Sequence, residues 1–263
     1  MIERLRNIEP VDLTTFTNEL KEEIVARVSD KIPHLESSLA VAELTVALHY
    51  LLNTPEDLLI WDVGHQGYVH KALTGRMEAL GTQRTKDGIS GFLKRDESPY
   101  DFFGAGHAST SLSVLTGACI ADAASGHDRK RVAVIGDGSM TSGQSFEALN
   151  HLATLAGDAV VILNDNDGSI DPTVGALHES NRYSSYIQSL GWEYSYLAEG
   201  NDVLALLKSL KSVIDRGGKQ VLHIRTTKPH LSKSKSYQPG TTFQWWAAEQ
   251  MRSILKSNDK LRV

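Results

Sequence analysis

Asp137 stands between Gly136 and Gly138 at the end of an apolar run, in a segment that reads VAVIGDGSMTSG over residues 132–143. Asn166 follows twenty-nine positions later in VVILNDNDGSI, again just past an apolar run. A carboxylate, an amide oxygen and a main-chain carbonyl are donors that suit a hard cation. Mg²⁺ completes its octahedron from water and ligand phosphates. Asp137, Asn166 and the carbonyl of Gly168 are the candidate metal donors. Gly138 lets the backbone approach a phosphate closely, and the N–H groups of a helix starting at Ser139–Ser142 favour an anion. A lone acid at a strand end is otherwise a cap or a turn residue. The second loop is what turns the reading towards a cation. Asp165 is either a second metal ligand or the residue that turns the loop, and the second reading is favoured because consecutive side chains on an extended segment diverge.

Two such loops meet only if the strands before them are neighbours. From residue 131 onward the apolar pattern predicts strand Arg131–Ile135, helix Ser142–Leu155, strand Ala159–Leu163, strand Trp192–Leu197, helix Asp202–Ile214 and strand Gln220–Arg225. Alternation of this kind means an α/β fold, a mostly parallel sheet with helices on both faces, whose ligands sit beyond the carboxyl ends of the strands. Upstream, residues 13–28 and Val41–Leu52 have helical spacing, Asp57–Trp61 reads as a short buried strand, and Thr110–Ala124 as a small-residue helix. Residues 84–101 read as an exposed loop, Ser109 and Thr110 as helix caps, His70 as structural.

With 263 residues, 41% hydrophobic, 22% charged and a net charge of −5, the chain has the composition of one large soluble domain. No apolar run reaches membrane-span length and the start, MIERLRNIEPVDL, lacks a secretory signal's apolar segment, so no membrane is expected. Cys119 is the single cysteine and reads as a core residue, which makes the cytoplasm the expected compartment. Mild acidity argues against nucleic acid as a partner. The basic stretch Lys228–Lys235 suits a phosphorylated substrate or a solvated loop equally.

Paired with the downstream Asn, the GDG segment resembles the thiamine-diphosphate motif. WDVGHQGYVHKALTGR (61–76), GISGFLKRDESPYDFFGAGHASTSLS (88–113), GDGSMTSGQSFEALNH (136–151), NDNDGSIDPTVGAL (164–177) and HLESSLAVAELTVALHYLLNTP (34–55) resemble 1-deoxy-D-xylulose-5-phosphate synthase, within the transketolase-like enzymes. The resemblance covers most of residues 30–228. It implies the thiamine-diphosphate-binding fold, with thiamine diphosphate and Mg²⁺ as cofactors. It implies metal ligation by Asp137 and Asn166, and diphosphate contacts by Gly138 and Ser139. Gly106, His107 and Ala108 match a cofactor-contacting loop, with Ala108 where a serine is common. His65 and His34 match histidines near cofactor and substrate, so His65, His34 and His107 are the implied catalytic residues. Lys228 matches a lysine facing the diphosphate, and Tyr237 is a candidate for a tyrosine beyond it. In Glu199-Gly200-Asn201-Asp202 the family's histidine has become Asn201.

The family sets its coenzyme between this domain and a pyrimidine-binding domain that carries an activating glutamate. Residues 1–263 read as the first alone, with Glu249 a surface helix residue rather than that glutamate. The expectation is an N-terminal subunit of a split, heteromeric transferase moving a ketol or acetyl unit from a small sugar or 2-oxoacid onto an aldehyde. A C-terminal-type subunit would complete it, as a dimer of such pairs. The alternative is a non-catalytic cofactor-binding or regulatory homologue. A nucleotide-binding protein is a poor third, since no GxGxxG follows a strand and GDGSMTSG lacks the P-loop lysine.

Overall fold

Runs of β-branched and aliphatic residues build the sheet. In the computed structural model, which describes residues 1–28, 33–166, 175–179 and 182–229, these are β1 (Leu58–Trp61), β2 (Arg131–Gly136), β3 (Ala159–Asp165), β4 (Glu193–Leu197) and β5 (Lys219–Arg225). Their order is β1-β2-β3-β5-β4 and every pairing is parallel. Central β3 is buried along its whole length, as expected for a parallel strand covered on both faces. Gly168, Tyr237 and Glu249 lie outside the described residues. By its contacts the chain divides into Met1–Val28 with His34–His230, and Ser29–Pro33 with Leu231–Val263. All helices and strands described here belong to the first unit.

Alternating side chains send each strand's apolar residues to two cores. On one face Ala133, Ile135, Val161, Leu163 and Val221 pack against Leu112, Leu115 and Cys119 of the helix Ser111–Ser125, together with Leu149, Ile187 and Trp192. The other face is covered by the helix Val203–Arg216, which buries Val203, Leu206, Leu210 and Val213 against β4 and β5 and packs on Ala42–Leu51. The latter is buried from Ala42 through His49, so it reads as apolar nearly all round.

In chain order the helices are α1 (Ile2–Arg6), α2 (Leu13–Arg27), α3 (Leu35–Leu39), α4 (Ala42–Leu51), α5 (Tyr68–Lys71), α6 (Ser111–Ser125), α7 (Asp137–Met140), α8 (Gly143–Leu152), α9 (Ala176–Glu179), α10 (Tyr183–Ser189) and α11 (Val203–Arg216). The elements expected from the pattern form within a few residues of their predicted bounds. One boundary differs in a way that matters. The chain passes from β2 directly into α7 at Asp137, a turn before the predicted helix start.

Residues 84–101 are not simply an exposed loop. Leu93, Ser98 and Asp101 are buried within it. Asp101 accepts both terminal nitrogens of Arg76 at 2.7 Å, Nε2 of His70 at 3.1 Å and the Lys94 amide at 2.9 Å. Behind His70 the chain continues through His49 (2.9 Å) to the Thr54 hydroxyl (2.9 Å). Donation from Thr54 through His49 and His70 to Asp101 satisfies every atom with both rings neutral, and burial depresses both imidazoles despite the carboxylate beside His70. His70 is structural, as expected. Because Arg76 and Asp101 are both buried, breaking the pair leaves a charge in a dry site. Asp101→Ala is expected to lower unfolding free energy by about 3 kcal/mol or more, read as a shifted urea midpoint. A loss below about 1 kcal/mol, the size of a surface pair, would contradict that role.

Candidate functional site

Parallel register sets Gly136 level with Asn164, so β2 and β3 end side by side at one edge of the sheet. Asp137 follows the first as the opening residue of α7, 3% exposed, and Asn166 follows the second by one residue beyond β3. These ends floor a cleft of about 470 Å³. Asp137, Gly138, Ser139 and Asn166 line it from the two strand ends, Ala108 from the loop before α6. His65 enters from the turn after β1, His34 from the start of α3 and Lys228 from the segment after β5. Gly106 and His107 are exposed on the same loop as Ala108 and are not part of the lining. Gly168 lies outside the described residues.

The turn after β1 is shaped by backbone demands. Val63 and Gly64 both take left-handed conformations, φ 58° and 83°, which for a β-branched valine is strained. A Cβ on Gly64 would meet Ala105 Cβ at 2.9 Å and Leu93 N at 3.1 Å, so only glycine fits. Asp62 ties this turn to α6 by accepting the amides of Ser109 (2.9 Å) and Ser111 (3.1 Å). Asp62 therefore supplies the cap predicted for Ser109 and Thr110. Ser109 instead donates its hydroxyl to the Ser139 carbonyl at 2.8 Å, and Thr110 donates to the His107 carbonyl at 3.1 Å. Ser145 adds a second hydroxyl on the Ser139 carbonyl at 2.8 Å, which locks α7 under the cleft.

The histidine pair is electrostatically poised. His34 and His65 meet edge to face, ring centroids 5.5 Å apart. Burial pushes His65 down to about 4, helped by the charges of His34 and Lys228. His34 is lowered by burial and by Arg84 and Lys228. Both rings are held neutral near pH 7, so each has one donor and one acceptor nitrogen. The Ser38 hydroxyl donates to the His65 carbonyl at 2.9 Å and steadies the residue from behind.

Asp165 differs from its expected role. It is the last residue of β3, its carbonyl accepts the Thr226 amide at 2.9 Å, and its Oδ2 lies 3.2 Å from both His223 Nε2 and Arg225. Burial works against its carboxylate, but His223, Arg225 and His178 together hold it below the usual range. Sequence reasoning missed Asp62, Arg84, His178 and Tyr183. Arg84, with φ 62°, lays its guanidinium over Phe92 at 5.1 Å and hydrogen-bonds Tyr68. No local motif marks these residues, since each acts through a tertiary neighbour. Asn201 also has a new meaning. Its amide donates to the Ala40 carbonyl at 2.9 Å and accepts the Thr227 amide at 2.7 Å, beside Lys228.

The residues present fit a cation with a phosphate. Asn166 Oδ1 and His65 Nδ1 are buried polar atoms with no hydrogen-bond partner among the described residues, and both residues line the cleft. A ligand seated in the cleft would supply the partners these two atoms lack. A Cβ at Gly136 would meet open space, so the cleft floor has room for a ligand.

A histidine lowered on folding favours the folded state only while it stays neutral. The unfolded ring takes a proton below its ordinary value of about 6.5, whereas folded His65 resists down to about 4. Stability should therefore fall as pH drops through that window, with buried His49 and His70 acting in the same sense. Urea midpoints between pH 7 and 4 are expected to decline, and His65→Gln to decline less steeply. Parallel profiles for the two proteins would contradict this electrostatic picture.

Comparisons with known proteins bear on the family and the fold. The family model for 1-deoxy-D-xylulose-5-phosphate synthase matches residues 1–185. A synthase of that name from Nitrosococcus oceani is 45% identical over 92% of this chain and 36% of its own length. One from Stutzerimonas stutzeri is 37% identical over 96% of this chain and 46% of its own. The chain thus spans less than half the length of these relatives. Among solved structures, transketolase from Leishmania mexicana superposes with TM-score 0.66 at 22% identity, covering 86% of this chain and 36% of that one. Transketolase from Campylobacter jejuni gives 0.64 at 17%, covering 80% and 38%. These likenesses show a shared fold. With well over half of its residues matched by the family model, the chain belongs to the 1-deoxy-D-xylulose-5-phosphate synthase family.

Proposed function

We propose that this chain provides the diphosphate- and cation-holding half of a thiamine-diphosphate-dependent transferase that moves a two-carbon ketol or acetyl unit onto an aldehyde or sugar phosphate. The observation that carries the reading is that Asp137 and Asn166 line one cleft from adjoining strand ends, with Asn166 Oδ1 and His65 Nδ1 unpartnered among the described residues. Asp137 and Asn166 would hold Mg²⁺, with the carbonyl of Gly168 a further proposed donor. Gly138 and Ser139 would take the diphosphate, Lys228 its remaining charge. Gly106, His107 and Ala108 would border the coenzyme from their loop. When bound, thiamine diphosphate supplies a nucleophilic ring carbon that takes up the two-carbon unit.

The chain's own residues then have defined tasks. A neutral His65 at the cleft wall can pass a proton to or from a substrate oxygen, work that suits imidazole near neutrality. His34, beside it at the mouth, can orient the same oxygen. His107 is proposed as a third proton carrier, reached by movement of its exposed loop. No glutamate lines the cleft among the described residues, so the group that activates the coenzyme ring would come from a pyrimidine-binding domain. We place that domain on a separate C-terminal-type subunit, in a dimer of such pairs working in the cytoplasm. Among the described residues no helix is long and apolar enough to cross a membrane.

Calorimetry with thiamine diphosphate and Mg²⁺ tests the cation assignment. Asp137→Ala is expected to abolish Mg²⁺-dependent binding, and unchanged affinity would refute the assignment. With the pyrimidine-domain partner present, His65→Ala should lower turnover far more than coenzyme binding; equal losses would make the residue structural. Binding without turnover in any partner mixture would mark a coenzyme-holding chain instead.

A further inference from the structure

Close to Asp137 lie two side chains to which the reading above gives no ligand role. Ligand atoms of Asp137, Asp165 and His178 all lie within 4.8 Å of one another. With bonds of about 2.1 Å, opposite donors on one small divalent ion sit about 4.2 Å apart and adjacent donors about 3.0 Å, so the three groups would draw closer together on binding a shared ion. We propose that His178 is a nitrogen ligand to the divalent cation at Asp137, so that the protein itself can hold a borderline transition ion before any coenzyme phosphate is present. This rests on the reading of Asp137 as a cation donor.

Two observations beyond the cluster support it. The Tyr183 hydroxyl, on a side chain 1% exposed, has no hydrogen-bond partner among the described residues. Its ring meets that of His223, the residue on Asp165 Oδ2, edge to face with centroids 5.4 Å apart, which sets Tyr183 next to the cluster. A buried, unpartnered O–H next to the cluster is suited to donate to a ligand oxygen or to a water on the ion. The second is the surround of Asp165. His223 Nε2 and Arg225 both contact its Oδ2 at 3.2 Å, and the Tyr194 hydroxyl meets His223 Nδ1 at 2.7 Å. A carboxylate aimed by a histidine that is itself aimed by a third group is the outer-shell arrangement that orients metal ligands.

The chemical consequence is selectivity. Carboxylate and carbonyl oxygens suit Mg²⁺, whereas imidazole shifts preference towards later first-row ions such as Co²⁺. His178 is half-buried on the one-turn α9, so its replacement by asparagine should leave the fold intact, which circular dichroism would verify.

The experiment uses the full, untagged chain without coenzyme. Pulsed electron paramagnetic resonance of bound Mn²⁺ should show imidazole ¹⁴N modulation in the wild type and none in His178→Asn. Calorimetry should show Co²⁺ affinity falling about tenfold in that variant, the size typical of altering a ligand environment, with Mg²⁺ affinity nearly unchanged. Mn²⁺ bound without nitrogen modulation, or equal loss for both ions, would overturn the role of His178 while leaving the Asp137 site standing. Mn²⁺ affinity identical in wild type and Asp137→Ala would instead overturn the underlying cation reading.

Discussion

Level pairing of Gly136 with Asn164 is the constraint on which the cleft depends. Side chains in a strand alternate between faces, so a slip of one residue between β2 and β3 would turn every core residue of one strand to the wrong side. Ala133, Ile135, Val161 and Leu163 pack on one face while Val132, Val134, Val160 and Ile162 are buried on the other. With both faces packed, a slip would put side chains of the wrong size into each core, leaving cavities at some positions and overpacking at others. The position of Asp137 beside Asn166 is therefore a by-product of core packing. The polar site borrows its accuracy from apolar residues that never touch a ligand.

Much of this was legible because it rests on local pattern. Apolar runs of strand length, breaks at Gly and Pro, and alternation of strand with helix were enough to place the sheet and the two loops at its edge. The donor types at Asp137 and Asn166 could be read from chemistry alone. Other features depend on contacts far apart in the chain. Asp62 caps α6 from forty-seven residues away, and nothing in its neighbourhood announces that. Ser109 and Thr110 have the right residue types for a cap, but a left-handed Ser109 points its hydroxyl at Ser139 instead. Residues 84–101 look solvated by composition, yet Asp101 is buried because Arg76 and His70 wait for it. Polar residues hide their burial when the partner is remote.

Two regimes of polar burial coexist in the molecule. Around Asp101 both carboxylate oxygens are taken, by Arg76, His70 and the Lys94 amide, and the result is a rigid seat for the loop that packs Leu93 beneath Gly64 and Gly67. Around the cleft, by contrast, Asn166 Oδ1 and His65 Nδ1 lack partners among the described residues, and Val63 sits in a backbone region that valine avoids. Groups of this second kind serve a preorganised binding surface, since their desolvation has been met during folding rather than at the moment of binding.

Asn201 gives the cleft a mechanical property. Its single amide joins the carbonyl of Ala40, at the end of α3, to the amide of Thr227, next to Lys228. His34 opens α3, a helix of only five residues. The imidazole on one rim and the ammonium on the other are thus stitched through a strut two hydrogen bonds long. Displacement of either rim is transmitted to its opposite number, and the mouth is braced against opening on one side alone.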